Sequence, residues 1–391
     1  MPVQDVQIEK WVYGGEGLAR AGGRVVFVPF VLPGETARIE LGDDVHAKLI
    51  EVVGPAMERA APPCPLFTIC GGCHYQHAPY EYQLARKVEI LREQLQRVGK
   101  LKFEGEIGVI SGPPLGYRNR AQFRIAGNQI GYLAGRSHAL VPVEGGCPVS
   151  SPRLNQALAE MRARLNDPRF PRFVRSIEIF TNEAAVQINA IDAEKPVARR
   201  FYDWCESKEA IDYPTSFGSF RVSPRSFFQV NRFLADKLVE AALPAAGAGM
   251  ALDLYAGVGL FALPLAARFG SVIAVESGSS AARDLEFNAA RAGAAVQVEQ
   301  ARVEHFLSRL QATPEFVLAD PPRVGLGKDV VGHLLRLAPP RITIVSCDPA
   351  TLARDLSGLA AQYRIESLTM VDLFPQTYHL ETIARLQRSG T

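Results

Sequence analysis

Cys347 lies between an apolar run and an Asp-Pro pair in the segment VSCDPATLARDL, residues 345–356. Asp348 is a favourable N-cap residue and Pro349 a favourable first helical residue, so the cysteine directly precedes a predicted helix. The helix dipole and the free backbone N–H groups there favour a thiolate and lower the pKa of the thiol. Cys347 is therefore a candidate nucleophile, although an inert, buried thiol at a strand end has the same local sequence.

A glycine-rich turn in LDLYAGVGLFALPLA, residues 252–266, is the second candidate for chemistry. Gly257, Gly259 and Ala262 satisfy the dinucleotide pattern GxGxxA, in which the backbone passes close to a ligand between a strand and a helix. Glu276 ends the next predicted strand, where its carboxylate can accept both hydroxyls of a ribose. The pattern predicts an adenosine-containing cofactor and leaves NAD and S-adenosylmethionine as alternatives.

A third candidate is Asp320 in the segment ADPPRVGL, residues 319–326. The two prolines that follow it fix φ and make a stiff turn, which projects the carboxylate over the edge of the predicted sheet. A rigid turn without any chemical role is the alternative interpretation.

Three closely spaced cysteines in CPLFTICGGC and one distant cysteine in EGGCPVS form the fourth group: Cys64, Cys70, Cys73 and Cys147. Thiols at this spacing, each beside Gly or Pro, predict a metal site. Four thiolates suit tetrahedral zinc and an iron–sulfur cluster equally well. His74 and His77 allow a rival zinc scheme, whereas Cys205 stands alone and is interpreted as a half-buried structural thiol.

The elements that must position these residues fall into three parts. From about residue 250, predicted strands and helices alternate, which predicts a doubly wound parallel sheet of the α/β class with ligands at the carboxyl ends of its strands. Residues 1–57 are short β segments broken by Gly and Pro, a pattern typical of a small OB-type barrel. We therefore predict three domains, over residues 1–57, 58–214 and 215–391.

Two basic segments lie in the middle domain. Arg118, Arg120 and Arg124 alternate along a predicted strand, where they suit either phosphate contacts or a polar, exposed sheet face. A predicted helix follows the cysteine-rich segment, and its apolar residues recur at helical spacing: Leu84, Val88, Leu91, Leu95 and Val98. Basic residues outnumber acidic ones from Arg86 to Lys102, which suits either a solvated polar face or an RNA contact.

Composition limits the class of protein. The chain has 391 residues, of which 47% are hydrophobic and 21% charged, and its net charge is +2. These values are typical of a soluble globular protein with two or three domains, so a nucleic-acid site must come from local clusters of charge. Six cysteines in a chain of this length do not suggest a disulfide framework. Since neither a signal peptide nor an apolar run of membrane-spanning length is evident, we expect a cytoplasmic protein without a membrane partner.

Five segments in this order resemble the RNA uracil-5-methyltransferase family: FFQVN, LDLYAGVG, ADPPRVGL, VSCDPATLARDL and FPQTYHLETIARL. The resemblance covers most of the chain, because residues 1–57 are similar to the TRAM domain and the cysteine segment is similar to the iron–sulfur motif of the 23S rRNA branch. It implies a class I methyltransferase fold, S-adenosylmethionine as cofactor, and a [4Fe-4S] cluster with Cys147 as its fourth ligand. RNA is the implied partner, 23S rRNA in preference to tRNA, and the enzyme is expected to act as a monomer.

The same resemblance implies roles for individual residues. Cys347 matches the nucleophile that adds to C6 of uracil, and Glu381 matches the base that removes the C5 proton. The positions that contact S-adenosylmethionine in the family are matched by Gln229, Tyr255, Glu276 and Asp320, and Gly257 and Gly259 belong to the same loop. The family commonly has Asn where this chain has Asp348, and a carboxylate there raises the pKa of the thiol. Use of Asp348 as the helix cap is expected to limit that effect.

Two alternatives remain beside a methyltransferase acting on rRNA or tRNA. An NAD-dependent oxidoreductase with an iron–sulfur domain accounts for GxGxxA and the clustered cysteines, but leaves Asp320, Cys347 and Glu381 without a function. An RNA-binding protein that has lost its activity is the other alternative.

Overall fold

The N-terminal part of the chain forms a closed β-barrel, which we call the N-terminal barrel. The computed structural model describes residues 2–42 and 44–390. The barrel strands are β1 (Val3–Trp11), β2 (Glu16–Ala21), β3 (Arg24–Pro29), β4 (Thr36–Glu40) and β5 (Lys48–Gly54). They are antiparallel in the order β3-β2-β1-β4-β5, and backbone hydrogen bonds of Phe27 with Val45 and Ala47 connect β3 to the chain before β5. Alternating buried residues such as Val6 and Ile8 fill the interior. The predicted small barrel is confirmed.

The middle of the chain contains a second antiparallel sheet. The elements here are α1 (Tyr80–Arg97), β6 (Ile107–Ile110), β7 (Arg120–Ala126), β8 (Gln129–Leu133), β9 (Leu140–Pro142), α2 (Pro152–Arg164), β10 (Val174–Thr181), β11 (Val186–Ala193), α3 (Arg199–Trp204), β12 (Ile211–Thr215) and β13 (Gly218–Val222). The sheet has the order β11-β10-β7-β8-β9, and apolar residues of α2 pack with it in one core that also holds Cys205. Burial in this core raises the pKa of the Cys205 thiol to about 11, as expected for a structural cysteine.

The C-terminal part is the predicted α/β unit. Its elements are α4 (Ala235–Ala242), β14 (Met250–Leu254), α5 (Ala262–Ala266), β15 (Ser271–Glu276), α6 (Ser279–Ala292), β16 (Val296–Gln300), α7 (Val303–Arg309), β17 (Phe316–Ala319), α8 (Gly327–Leu337), β18 (Arg341–Ser346), α9 (Pro349–Leu359), β19 (Tyr363–Val371) and β20 (Glu381–Arg388). The C-terminal sheet has the order β16-β15-β14-β17-β18-β20-β19-β6, and β14 to β18 are parallel. The doubly wound parallel sheet is therefore confirmed.

The end of this sheet differs from a purely parallel arrangement. Strand β20 inserts antiparallel between β18 and β19, and β6 pairs in parallel with β19. Helix α1 packs against α9 on one face of the sheet. Residues between 58 and 214 thus contribute to three sheets: β6 joins the C-terminal sheet, β7 to β11 form the middle sheet, and β12 pairs with β13 in a separate two-stranded sheet.

The alternating arginines are not a free phosphate-binding face. Arg120 is buried, lies 2.8 Å from Glu178 and packs over the ring of Phe180, while Arg124 lies 2.7 Å from Asp192. Glu178 lies on the neighbouring strand β10 and Asp192 on β11, one strand further away, so the two arginines act in the structure of the middle sheet. Among the described helices, none is both long enough and apolar enough to cross a membrane.

Candidate active site

Strand pairing brings Cys347 and Glu381 together. Strands β18 and β20 are antiparallel with Ser346 opposite Thr382, so Cys347 directly after β18 faces Glu381 at the start of β20. Strand β17 lies on the other side of β18, and Asp320 follows it at the same edge of the sheet. Charge on Glu381 and on Asp320 each raises the pKa of Cys347, which confirms that the three groups are neighbours. The edge therefore presents a thiol between two carboxyl groups.

Asp348 is the N-cap of α9, as the sequence predicts. One carboxylate oxygen, Oδ1, accepts hydrogen bonds from the backbone N–H groups of Ala350 at 3.0 Å and Thr351 at 2.9 Å. Pro349 occupies the first helical position and has no N–H group to donate. The donors at the start of α9 are thus taken by the cap and are not available to a thiolate on Cys347.

The expectation of a low thiol pKa is wrong. Burial raises the pKa of Cys347 to about 12, with further contributions from Glu381 and Asp320 and a smaller one from Asp348. Arg323 acts in the opposite direction and is exposed, so its effect does not balance the carboxylates. Local sequence indicated only the helix terminus, whereas the carboxylates come from strands far away in the chain. Cys347 is therefore a neutral thiol at neutral pH in the free protein.

The two carboxyl groups beside Cys347 are perturbed as well. Glu381 is buried, and burial together with the charge of Asp320 raises its pKa well above the usual range. Burial raises the pKa of Asp320 to about 7. A carboxyl group with a pKa near the working pH can both hold and release a proton, which is what a general base requires. Burial by the tertiary structure, which the sequence of β20 does not reveal, raises the pKa of Glu381 and so favours its protonated form.

The glycine turn lies after β14, at the same edge. Gly257 and Gly259 have positive φ values of 54° and 94°, and Tyr255 also has a positive φ of 65°. Glu276 at the end of β15 accepts hydrogen bonds from the backbone N–H groups of Gly257 at 2.9 Å and Gly278 at 2.5 Å. Its carboxylate therefore closes the turn, and it lies where the sequence places the group that binds a ribose.

A cavity of about 330 Å³ opens beside this turn, and its wall includes Tyr255, Ser277, Arg302 and Pro322. Asp253, just before the turn, is fully buried, and among the described residues none makes a hydrogen bond of good geometry with its carboxylate oxygens, although the backbone N–H group of Ala262 lies near enough to lower its pKa. Burial, Asp320 and Glu276 all raise the pKa of Asp253. The carboxyl groups of Asp253, Asp320 and Glu276 at this edge fit a positively charged cofactor such as S-adenosylmethionine, which would relieve their repulsion.

Gln229 is buried and anchored through its backbone. Its carbonyl accepts a hydrogen bond of 3.2 Å from the side chain of Asn119, and Asn231 donates to the carbonyl of Leu373 at 3.0 Å. The segment FFQVN is thereby tied to β7 on one side and to the chain after β19 on the other. This places Gln229 between the middle sheet and the C-terminal sheet.

Residues 372–380, which we call the β19–β20 loop, lead directly into Glu381 and are held by α1. Lys87 of α1 and Asp372 are both fully buried and lie 2.6 Å apart, and Tyr80 donates a hydrogen bond of 2.8 Å to the same carboxylate. Gln83 donates to the side chain of Gln376 at 3.0 Å. The sequence suggested only a solvated or RNA-binding basic face for α1, since burial of Lys87 depends on a partner 285 residues away.

The cysteine-rich segment lies against the same loop. The backbone N–H groups of His74 and Tyr75 both donate to the carbonyl of Gln376, at 2.7 and 3.0 Å. Charge on Cys147 raises the pKa values of all three cysteines of the segment, and so the four thiols are neighbours: Cys64, Cys70, Cys73 and Cys147. The fold thus brings together the candidate ligands that the sequence separates.

Several groups around these thiols stabilise negative charge on sulfur. Backbone N–H groups of Leu66 and Phe67 lower the pKa of Cys64, while Gln76 and the positive charge of Arg118 act in the same direction on Cys73. Burial is nevertheless the largest effect and raises the pKa of Cys73 to about 12. Donors aimed at sulfur are typical of sites where thiolates bind a metal, so the residues fit such a group.

Within residues 2–42 and 44–390, no set of three or more His, Cys, Asp or Glu side chains has a metal-binding arrangement. The histidines of the rival zinc scheme point elsewhere. His77 packs against Trp11 and Phe67, and His74 packs against Tyr378. Burial lowers the pKa values of both histidines to about 4, so both are neutral in the interior.

Comparisons with known proteins agree with this geometry. The family described as tRNA (Uracil-5-)-methyltransferase matches residues 215–389, and the TRAM domain matches residues 2–45. An uncharacterized RNA methyltransferase of Thermosynechococcus vestitus is 31% identical over an alignment of 440 positions including gaps, which covers 98% of this chain and 98% of the relative. The 23S rRNA (uracil(1939)-C(5))-methyltransferase RlmD of Halomonas elongata is 32% identical over an alignment of 439 positions, which covers 98% of this chain and 89% of the relative.

A solved structure agrees over almost the whole chain. The crystal structure of Pyrococcus abyssi tRNA (uracil-54, C5)-methyltransferase in complex with S-adenosyl-L-homocysteine has a TM-score of 0.78 and 25% sequence identity, and covers 97% of this chain and 100% of that chain. The resemblance expected from the five sequence segments is confirmed, and the fold is that of a class I methyltransferase. The chain belongs to the family of S-adenosylmethionine-dependent RNA uracil-5-methyltransferases.

Proposed function

We propose that this protein methylates C5 of a uridine in 23S rRNA, with Cys347 as nucleophile and Glu381 as base. The observation that carries the proposal is the pairing of β18 with β20, which sets a thiol opposite a carboxyl group beside the glycine turn. Relatives called RlmD, 32 to 33% identical, support 23S rRNA as the substrate. The TRAM match supports RNA binding, while action as a monomer in the cytoplasm stays a prediction.

The reaction needs these two groups because C5 of uracil is a poor nucleophile. The Cys347 thiolate forms a bond to C6, and the electron pair displaced onto the ring makes C5 nucleophilic. S-adenosylmethionine supplies the methyl group from its sulfonium when bound. Glu381 then takes the proton from C5, the bond between sulfur and C6 breaks, and Cys347 leaves. Each turnover therefore replaces one proton on C5 with one methyl group and regenerates free Cys347.

The charges of the site suggest when the thiolate forms. In the free protein, burial and the carboxyl groups of Glu381 and Asp320 keep Cys347 protonated. Bound S-adenosylmethionine would supply a positive charge that offsets the negative charge of Glu381 and Asp320, which would favour ionisation of the thiol. Cys347 thus becomes nucleophilic only in the loaded site. This arrangement also protects the thiol from oxidation, because the thiolate is the form that reacts.

A [4Fe-4S] cluster is the second part of the proposal. The four neighbouring thiols would hold it: Cys64, Cys70, Cys73 and Cys147. It would supply a rigid cross-link between the cysteine-rich segment and the chain around Cys147. His74 and Tyr75 follow this segment directly and hold Gln376 in the β19–β20 loop, so a structural role near the active site fits the contacts.

Action on tRNA is the alternative, supported by the similarity to the Pyrococcus abyssi enzyme, a tRNA (uracil-54, C5)-methyltransferase. Nucleoside mass spectrometry of rRNA and tRNA from cells with and without the gene distinguishes the two substrates. We expect loss of one or two 5-methyluridines from 23S rRNA and unchanged tRNA. Loss confined to tRNA supports the alternative, and unchanged 5-methyluridine in both RNAs contradicts the proposed function.

A further inference from the structure

The turn between β1 and β2 of the N-terminal barrel reaches the active site. Tyr13 in this turn donates a hydrogen bond from its hydroxyl group to Oδ2 of Asp348 at 2.9 Å, across 335 residues of sequence. Asp348 directly follows Cys347, and its other oxygen caps α9. Both oxygens of the carboxylate next to the nucleophile are therefore occupied, one by the helix and one by a separate domain.

The turn is fixed in this position by close packing. Gly14 and Gly15 have positive φ values of 113° and 90°, which allow the chain to reverse after Tyr13. A Cβ atom on Gly15 would lie 3.0 Å from a ring carbon of His74 and 3.1 Å from a ring carbon of Tyr378. The ring of Tyr13 meets that of Tyr378 edge to face, with 5.6 Å between centroids. The turn thus touches both the β19–β20 loop and the residue after Cys73.

We propose that Tyr13 is a positioning residue for the nucleophile, which binds Asp348 and limits the negative charge that this carboxylate presents to Cys347. The inference rests on the proposed role of Cys347 in methyl transfer. Through Tyr13 the N-terminal barrel, besides binding RNA, completes the surroundings of the reacting thiol, and the chemistry depends on its docking.

The chemistry of the contact supports this role. Burial raises the pKa of Tyr13, and the charge of Asp348 raises it further, so the hydroxyl group stays protonated and remains a donor. A hydrogen bond to a charged acceptor withdraws more negative charge than one between neutral groups. Three donors hold the charge of Asp348: the hydroxyl group of Tyr13 and the backbone N–H groups of Ala350 and Thr351. The charged groups that face Cys347 are Glu381, Asp320, Arg323 and Asp348.

The inference predicts a specific interaction between two substitutions. In Tyr13→Phe the ring keeps its packing, but Asp348 loses one donor and presents more charge to Cys347. We expect alkylation of Cys347 by iodoacetamide at fixed pH between 7.5 and 10 to slow by about three- to tenfold, which corresponds to a rise of half to one pKa unit. The kcat for methyl transfer falls by a similar factor, while the KM for RNA stays unchanged.

The same substitution in an Asp348→Asn background is the decisive comparison. Asn keeps the oxygen that caps α9 and removes the charge, so Tyr13→Phe should then slow alkylation by less than about twofold, and Asp348→Asn alone should resemble the wild type. Equal slowing in both backgrounds, or none in the wild type, overturns the inference and leaves Tyr13 a packing role. Full-length protein is alkylated, and the modification is then measured on the peptide that contains Cys347. This measurement does not depend on methyl transfer, so it can contradict the role of Tyr13 independently of the proposed function.

Tyr363→Phe is the matched control. It removes a tyrosine hydroxyl that donates to the carbonyl of Pro339 at 2.8 Å, at the opposite end of the strands from Cys347. We expect Tyr363→Phe to leave the rate of Cys347 alkylation unchanged and to lower the stability of the protein by a small amount, similar to that caused by Tyr13→Phe. If Tyr363→Phe slows alkylation as much as Tyr13→Phe, loss of any buried tyrosine hydrogen bond explains the result and the inference is wrong.

Discussion

Cys347 and the cysteines at positions 64, 70 and 73 are two sets of thiols with similar burial and different neighbours. In both, burial is the largest effect and raises the thiol pKa, to about 12 for Cys347 and for Cys73. Around Cys347 the further charges are carboxylates, and Arg323 alone opposes them. Around the clustered cysteines, N–H donors, Gln76 and Arg118 oppose burial, and the charges that raise the pKa values come mainly from the other thiols.

Both sets of thiols are thus neutral at neutral pH in the free protein, and they differ in which neighbours oppose the effect of burial. The carboxylates beside Cys347 keep its thiol neutral until a positively charged cofactor binds. In the proposed reaction the sulfur then adds to uracil and is released again. Hydrogen-bond donors around the clustered cysteines favour their thiolate forms. Bonds to a metal ion would offset the repulsion between neighbouring thiolates. Burial does not distinguish the two sites; carboxylates surround Cys347, whereas hydrogen-bond donors and other thiols surround the clustered cysteines.

The strongest test of the nucleophilic site is Glu381→Gln. Without a base, the methylated intermediate cannot lose its C5 proton, so the bond between Cys347 and C6 persists. We expect turnover to fall by about 10²- to 10⁴-fold and a covalent complex of protein and RNA to survive denaturing gel electrophoresis. Cys347→Ala is the control, with bound RNA but no covalent complex. A covalent complex in Cys347→Ala would assign the nucleophile to another residue.

The cysteine cluster is tested by Cys147→Ala. Loss of one of four ligands should remove most of the iron and the broad absorbance near 400 nm of anaerobically purified protein. The free energy of unfolding should fall by more than about 2 kcal/mol, the lower range for loss of a native cross-link. Cys205→Ala, at a buried cysteine of the middle sheet, should keep the iron. A colourless wild-type protein with stoichiometric zinc would contradict the iron–sulfur proposal.

A smaller effect is expected for Asp320→Asn. The pKa of Asp320 is about 7 in the folded protein against 3.8 ordinarily, so the folded state binds more protons and stability falls as pH rises between these values. Asp320→Asn removes this loss of stability at high pH. The gain in free energy of unfolding over the wild type should be about 1 to 3 kcal/mol larger at pH 8 than at pH 4. Methyl transfer should be lost. Urea unfolding at both pH values measures the gain in stability. Asp203→Asn, an exposed control, should show no such pH dependence.

The sequence predicted the architecture well because its signals are local. Alternation of strands and helices after residue 250 predicted the parallel sheet, and the segment around Cys347 predicted Asp348 as a helix cap. The fourth cysteine was matched by resemblance, and the structure brings Cys147 near the other three. Strand β6 was not anticipated in the C-terminal sheet, because pairing between residues 107 and 368 has no signal in either segment.

In the candidate site, too, some residues were predicted from local sequence, whereas others gain their role only through long-range contacts. The motifs identified Cys347, Asp320 and the glycine turn, but Glu381 stood out only through the family resemblance, since a single carboxylate at a strand start is ordinary. Tyr13 and Lys87 were missed, because each acquires its role from a partner about 300 residues away.

Residue types, their spacing and the order of elements were enough to predict the fold class and the family and to propose the reacting groups. Packing of distant segments determined the properties of the site in the folded protein. These are the raised pKa of Cys347, the buried ion pair of Lys87 and Asp372, and the hydrogen bond of Tyr13 to Asp348. The physical reason is that a backbone signal acts over a few residues, whereas burial and electrostatic energy depend on every charge and surface that the fold brings near.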